Sequence, residues 1–213
     1  MGDTDRYYRE LAAAFVRGRL PELPRMADAE TIEAGLSAGL RCHKFKRNQE
    51  LPRVRRVLGI LRGISPESLL DIGSGRGTFL WPLLSYLPHL IAVSVDTKLV
   101  RVRDVDAVRK GGINNLAAAL MDGSRLGFCD NSFDVVAILE VLEHLRDPGQ
   151  AAAEAIRVAR RFVIASVPSK EDDNPEHLHL FDRPRLESLF GSAASRRISF
   201  GYVPGHLIAL VRV

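Results

Sequence analysis

Cysteine is scarce in this chain of 213 residues: Cys42 and Cys129 are the two present, and they lie far apart. A disulfide scaffold and a cysteine-built metal site are thereby excluded, and reduced thiols in a cytoplasmic protein are expected. Long apolar runs are missing as well. No stretch approaches the roughly 20 residues that cross a bilayer, and residues 1–20 carry Asp3, Asp5, Arg6, Arg9, Glu10, Arg17 and Arg19, which is no secretory signal. No membrane partner is expected. Aromatic residues are few, at 7%. Only Phe45 interleaves with the main basic run, so the stacking platform of a single-strand nucleic-acid binder is absent. Internal repeats and low-complexity tracts are missing too.

What is present suffices for one good core. The chain is 46% hydrophobic with a net charge of +4, and one domain with a smaller appendage is the expected division. The richest stretch is Ser68 to Gly77. Leu69-Leu70-Asp71-Ile72 reads as a buried strand that breaks into a glycine loop at Gly73, Gly75 and Gly77, followed by the helix-compatible Thr78, Phe79 and Leu80. Glycine lets a ligand approach the backbone closely, and the N–H groups of an opening helix would face that ligand. A dinucleotide fingerprint would want glycine where this chain has Thr78. Asp71, two residues before the first glycine, suits a cationic ligand better than a pyrophosphate.

Further stations follow in order. Leu90 to Val95 reads as a second strand ending at Asp96, a carboxylate placed to accept both hydroxyl hydrogens of a ribose. Leu116 to Met121 reads as a third, followed by Asp122-Gly123; Asp130 to Asp134 leads into a fourth, Val135 to Leu139, and on to Glu140-Val141-Leu142-Glu143-His144. A helix over Pro148–Ala159 precedes a fifth strand, Arg161 to Pro168, and a helix over Arg183–Phe190 stops at Gly191. Arg196–Val203 and His206–Val211 pair around the turn Pro204-Gly205. Ser166 and Ser169 lack a nucleophile elbow and read as loop residues.

Over residues 66 to 213 this succession resembles the class I S-adenosylmethionine-dependent methyltransferases, within the broad group carrying Glu-x-x-Glu-His after the fourth strand. The resemblance implies an α/β, Rossmann-like seven-stranded sheet with helices on both faces and a C-terminal antiparallel strand. It implies S-adenosylmethionine as cofactor, held by Asp71, Gly73, Ser74, Gly75, Gly77, Asp96, Thr97, Asp122, Gly123 and Glu140. His144 and then His179 are the candidate bases. Glu140, Glu143, His144 and His177 or His179 also resemble the metal site of methyltransferases acting on the 3′-terminal ribose of small RNAs, although close relatives carry the same motif without metal. The expectation is therefore a metal-independent methyltransferase with an O or N acceptor. A metal-dependent RNA 2′-O-methyltransferase and a non-catalytic cofactor-binding partner subunit are the alternatives. Oligomeric state is not read from the sequence.

Residues 1–65 read as a helical lid or substrate-recognition segment, interrupted at Leu20-Pro21-Glu22-Leu23-Pro24. Between positions 41 and 62 stand Arg41, Lys44, Lys46, Arg47, Arg53, Arg55, Arg56 and Arg62 against the single acid Glu50. That surplus favours an anionic partner: a small molecule, a carrier-bound acceptor or, less favoured, RNA. The segment is expected to gate the substrate, together with an acidic loop over 169–182, without building the cofactor pocket.

Overall fold

The computed structural model describes residues 3–45, 51–170, 173–191 and 197–213, with side chains described from residue 7 onward. Lys46, Arg47 and Glu50 of the basic run, Glu171 and Asp172 of the acidic loop, and Arg196 lie outside the described residues. In chain order the elements are α1 (Asp3–Arg19), α2 (Asp28–Ser37), a 3-10 turn (Cys42–Lys44), α3 (Pro52–Ile64), β1 (Ser68–Ile72), α4 (Leu80–Tyr86), β2 (Ile91–Asp96), α5 (Leu99–Lys110) and β3 (Leu116–Leu120). Then come β4 (Phe133–Leu139), a 3-10 turn (Leu142–His144), α6 (Pro148–Val158), β5 (Ala159–Pro168), α7 (Arg183–Phe190), β6 (Arg197–Val203) and β7 (His206–Arg212).

The seven strands form one sheet in the order β3-β2-β1-β4-β5-β7-β6. β7 alone runs antiparallel to its neighbours. Both faces are covered, which is why the central strands read as unbroken apolar runs rather than alternating ones. Leu69, Val135, Ala137 and Ile164 point into a core shared with α1, α3, α4 and α5. Their neighbours Leu70, Val136, Ile138, Val163 and Ala165 point into a second core under α6 and α7. The last two helices start where local chemistry dictates. Asp147 accepts from the N–H groups of Gly149 and Gln150, Asp182 from that of Arg185, and each helix has a proline in its first turn.

The expected boundary at residue 65 falls inside one packed core. Leu11, Ala13 and Val16 of α1 are fully buried, and Leu11 and Val16 share a cluster with Leu69 of β1. α1 crosses α5 antiparallel through a seam of small residues. A Cβ on Gly18 would meet the Ala107 carbonyl oxygen at 1.9 Å, and one on Gly111 would meet the Ala14 carbonyl oxygen at 1.8 Å. Here the two backbones touch, which only glycine permits. Burying this face makes α1 a structural layer packed on the sheet-bearing core. From it a chain of aromatic contacts, Phe15 to Phe45 at 5.2 Å and Phe45 to Trp81 at 5.3 Å, runs beneath the glycine loop. There Trp81 donates to the Arg76 carbonyl, so the N-terminal segment props the loop it was expected to leave alone.

Candidate active site

The parallel strands end together, and their loops open onto one mouth, as in other open α/β sheets. The glycine loop holds three residues at positive φ: Gly73 (72°), Gly75 (55°) and Gly77 (79°). Their roles differ. A Cβ on Gly77 would strike the Trp81 indole at 2.0 Å and one on Gly73 would strike the Val141 side chain at 2.5 Å, whereas one on Gly75 would meet nothing nearer than the Gly73 oxygen at 3.9 Å. Gly77 thus serves packing and borders neither of the ligand-sized spaces described below. Gly75 faces them. The helix expected to open straight from the loop starts only at Leu80 and is seven residues long, and the glycine N–H groups are tied into the fold, Gly73 to the Val95 carbonyl and Gly77 to that of Ser74.

The main cavity, of about 530 Å³, lies over the ends of β1, β2 and β3, a size suited to a nucleoside-like ligand. Gly73, Gly75, Asp96, Thr97, Asp122, Gly123, Glu140 and His144 all border it. Asp96 accepts from the N–H of Gly75 at 3.2 Å and from that of Lys98 at 2.8 Å, which locks strand end to glycine loop. Asp122 caps its own turn by accepting from Ser124. A smaller inner space of about 180 Å³ lies beneath the loop, bordered by Asp71, Ser74, Glu140, Ser166 and Arg53. Gly73, Gly75, Arg76 and Glu140 line both spaces.

Asp71 is 2% exposed. Burial pushes its carboxyl up to about 7, the Ser74 hydroxyl that donates to it opposes the rise, and the nearby Asp96 charge adds to it. The Ser74 hydroxyl also lies 2.7 Å from that of Ser94. Because folding raises this group above its ordinary 3.8, the native state binds a proton that the unfolded chain releases. Its stabilising contribution is full below about pH 4 and is lost as the pH rises to about 7. Asp71→Asn keeps an oxygen for Ser74 and removes the ionisation. Urea unfolding should show the variant more stable than wild type at pH 8, with a shallower fall between pH 4 and 7. An unchanged pH dependence would show that Asp71 does not titrate in that window.

Glu140 occupies the left-handed region at φ 56°, a costly conformation for a side-chain-bearing residue and one that clusters at functional sites. Its N–H donates to the Ser166 carbonyl at 2.9 Å, its carboxylate accepts from the Ser166 hydroxyl at 2.7 Å, and His206 Nε2 lies 3.1 Å away. Arg53 Nε stands at 3.9 Å. Ser166, Arg53 and His206 were not expected in the site. Strand register is the signal that could have found Ser166 and His206: Leu139 pairs with Ser166 across β4–β5, and antiparallel β7 must begin, at His206, where parallel β5 ends.

The histidines separate. His144 Nδ1 lies 3.0 Å from the Glu176 carbonyl and therefore carries the proton. His179 is corrected as a candidate base. Its Nε2 donates to the Leu145 carbonyl at 2.9 Å and its Nδ1 accepts from Arg185 at 2.9 Å, leaving neither nitrogen for a substrate. The residues of the alternative metal reading are also divided, since Glu140 bonds Ser166 and His179 bonds the Leu145 carbonyl. Glu143, His144 and His177 instead bring donor atoms within 4.8 Å of one another, with Glu143 fully buried.

A doubly wound sheet with one reversed strand, a glycine loop after β1 and a carboxylate at the end of β2 defines a nucleoside-cofactor-binding α/β protein. Residues 70–163 match the family described as a methyltransferase domain. The chain is 36% identical over 115 residues to a demethylmenaquinone methyltransferase of a Roseiflexus species, covering 51% of this chain and 44% of that protein. It is 33% identical over 139 residues to a small RNA 2′-O-methyltransferase of Arabidopsis thaliana, covering 60% of this chain and 15% of the relative. In both cases the match spans less than half of the relative. The solved structure of an S-adenosylmethionine-dependent methyltransferase from Aquifex aeolicus superposes with a TM-score of 0.61 at 18% identity, covering 78% of this chain and 92% of the other, and shares its fold. The stretch matched, residues 70–163, is similar to methyltransferase domains, and the cofactor that this similarity implies is S-adenosylmethionine. The residues present fit that cofactor: Gly75 leaves its ligand side open, and Asp96 stands at the nucleoside cavity. No described helix is long and apolar enough to cross a membrane, and both cysteines are free.

Proposed function

We propose that this protein is a cytoplasmic enzyme that transfers a methyl group from S-adenosylmethionine to an oxygen or nitrogen of a small or carrier-bound anionic acceptor, without metal. The observation that carries the reading is the pair of spaces joined at Gly75 and Glu140, one with Asp96 on its wall and the other with Asp71. Asp96 and Thr97 hold the ribose, Asp122 and Gly123 border the adenine, and Asp71, Glu140 and Arg53 hold the charged amino-acid end. When bound, the cofactor supplies an electrophilic methyl group on a sulfonium. The chain's task is then positioning, worth roughly 7–11 kcal/mol in well-aligned reactions. Val141, Leu145 and Leu178, at the cavity rim, exclude water. His144 keeps its Nδ1 proton on the Glu176 carbonyl, so Nε2 can take the proton of an acceptor hydroxyl.

The second reading, a metal-dependent RNA ribose methyltransferase, is favoured by the Glu143–His144–His177 cluster. Two measurements separate them. Calorimetric titration with S-adenosylhomocysteine and elemental analysis of the purified protein are expected to show binding and no stoichiometric divalent cation, with affinity and turnover unchanged by a chelator. Stoichiometric metal that is lost in Glu143→Gln, together with chelator-sensitive activity, would reverse the preference. Absence of S-adenosylhomocysteine binding would overturn both readings.

A further inference from the structure

A second cleft, of about 450 Å³, opens between α1, the 3-10 turn before α3 and the start of α5. Arg19, Arg41, Lys44, Arg76 and Arg101 border it, with Asp104 as its acid. That acid is 7% exposed and already committed: it accepts from Arg19 at 2.7 Å and from Lys44. Arg41, Arg76 and Arg101 have no anionic partner among the described residues. They come from three distant parts of the chain: the approach to the 3-10 turn, the glycine loop and the first turn of α5. That first turn contains no acidic residue, although the positive end of a helix dipole ordinarily favours one. Arg41 and Arg76 are exposed and Arg101 is half-buried, and the three share one cleft border while its acid, Asp104, is paired with Arg19 and Lys44.

Arg76 and Arg101 also border the nucleoside cavity, and Arg76 borders the inner space as well. The cleft and the cofactor site are therefore two sides of one arginine wall. Resting on the methyl-transfer reading above, we infer that this cleft is a phosphate subsite that anchors a phosphate or diphosphate group of the acceptor beside the cofactor. Planar guanidinium forks match phosphate oxygens in pairs, and three of them suit a group carrying more than one charge. Lys44 and Arg19 shape the floor by fixing Asp104 rather than by meeting the ligand. The same surplus charge steers an anion toward the mouth, an effect that salt weakens over about 8 Å at physiological strength.

The test uses inorganic pyrophosphate, titrated calorimetrically at low salt into the full chain saturated with S-adenosylhomocysteine. Pyrophosphate should bind one to one without displacing the homocysteine ligand. Arg41→Gln, which lies outside the cofactor cavity, should weaken pyrophosphate about tenfold, the size of one charge-assisted hydrogen bond, and leave S-adenosylhomocysteine affinity unchanged. The triple variant Arg41→Gln/Arg76→Gln/Arg101→Gln should lose pyrophosphate altogether. Pyrophosphate binding that is absent, equal in wild type and triple variant, or competitive with S-adenosylhomocysteine would overturn the subsite. Failure of S-adenosylhomocysteine itself to bind would overturn the methyl-transfer reading and the acceptor role with it, and the first titration detects that separately.

Discussion

Gly18→Ala and Gly111→Ala are each expected to destabilise the protein by about 3 kcal/mol or more, the upper range for overpacking a core. The added carbons would lie 1.9 and 1.8 Å from the carbonyl oxygens of Ala107 and Ala14, and a carbonyl held in a helix cannot step aside as a flexible side chain can. α1 and α5 must separate along their whole contact. For a chain of this size the loss corresponds to roughly 6–12 °C in melting temperature. The two positions share one seam, so the double variant should lose less than the sum of the singles, because the second methyl enters a gap the first has opened. Gly59→Ala is the control. Gly59 lies within α3 with nothing within 4 Å of its would-be Cβ, so alanine there should stabilise by about 0.5–1 kcal/mol through helix propensity alone. Thermal melts showing the same sign at positions 18, 111 and 59 would overturn the close-contact account. Removing residues 1 to 40 should leave no cooperatively folded domain, because Leu11 to Val16 complete its core.

Gly75→Val is expected to abolish cofactor binding while leaving the protein folded. Its backbone φ of 55° is poor for a β-branched residue, but the larger effect is spatial: the new side chain would enter the open region that borders both ligand spaces. A loss of S-adenosylhomocysteine affinity beyond a hundredfold should accompany a modest drop in melting temperature, since a strained backbone position costs on the order of 1–3 kcal/mol. Asp96→Ala should weaken binding by about 10- to 150-fold, equivalent to the 1.5–3 kcal/mol of charge-assisted hydrogen bonds. Gly77→Ala divides the two functions of the loop. Its methyl would strike Trp81, so it should disturb folding more than affinity. Calorimetry showing wild-type affinity in both Gly75→Val and Asp96→Ala would sink the assignment of the cofactor site.

The strands were legible because the sheet is covered on both faces, so Val135–Leu139 had to be apolar throughout and Leu69–Ile72 apolar except at Asp71. Pairing the glycine loop with the acids at 71 and 96 was legible because Asp71 and Asp96 lie in the last residues of β1 and β2. α5 was illegible. Its buried residues are Asp104, Val105, Ala107 and Val108, hardly an apolar stripe, since its partner approaches through Ala107 and Gly111. For the same reason α1 read as an appendage: its matching surface lies some 90 residues away. The fate of His179 was hidden too. Only the fold brings Arg185 and the Leu145 carbonyl to its two nitrogens, whereas the sequence left it the second candidate base after His144. The basic run read as one surface, yet α3 turns Val54, Val57, Leu58 and Leu61 inward, Arg53 borders the inner space and Lys44 is bound to Asp104.

The α1–α5 seam also sets a schedule for the protein as it is made. Ribosomes deliver the apolar face of α1 first, but the surface that covers it is complete only when Gly111 has been added. At about 5–20 residues per second, that leaves Leu11 to Val16 uncovered for roughly 5–20 s in each synthesis cycle. Local helix formation is finished within microseconds, so α1 waits as a formed but sticky cylinder. During that interval the nascent chain is a natural client for chaperones that hold short apolar helices. Changes in the first sixteen residues should therefore alter yield in the cell before they alter anything measured on the purified protein.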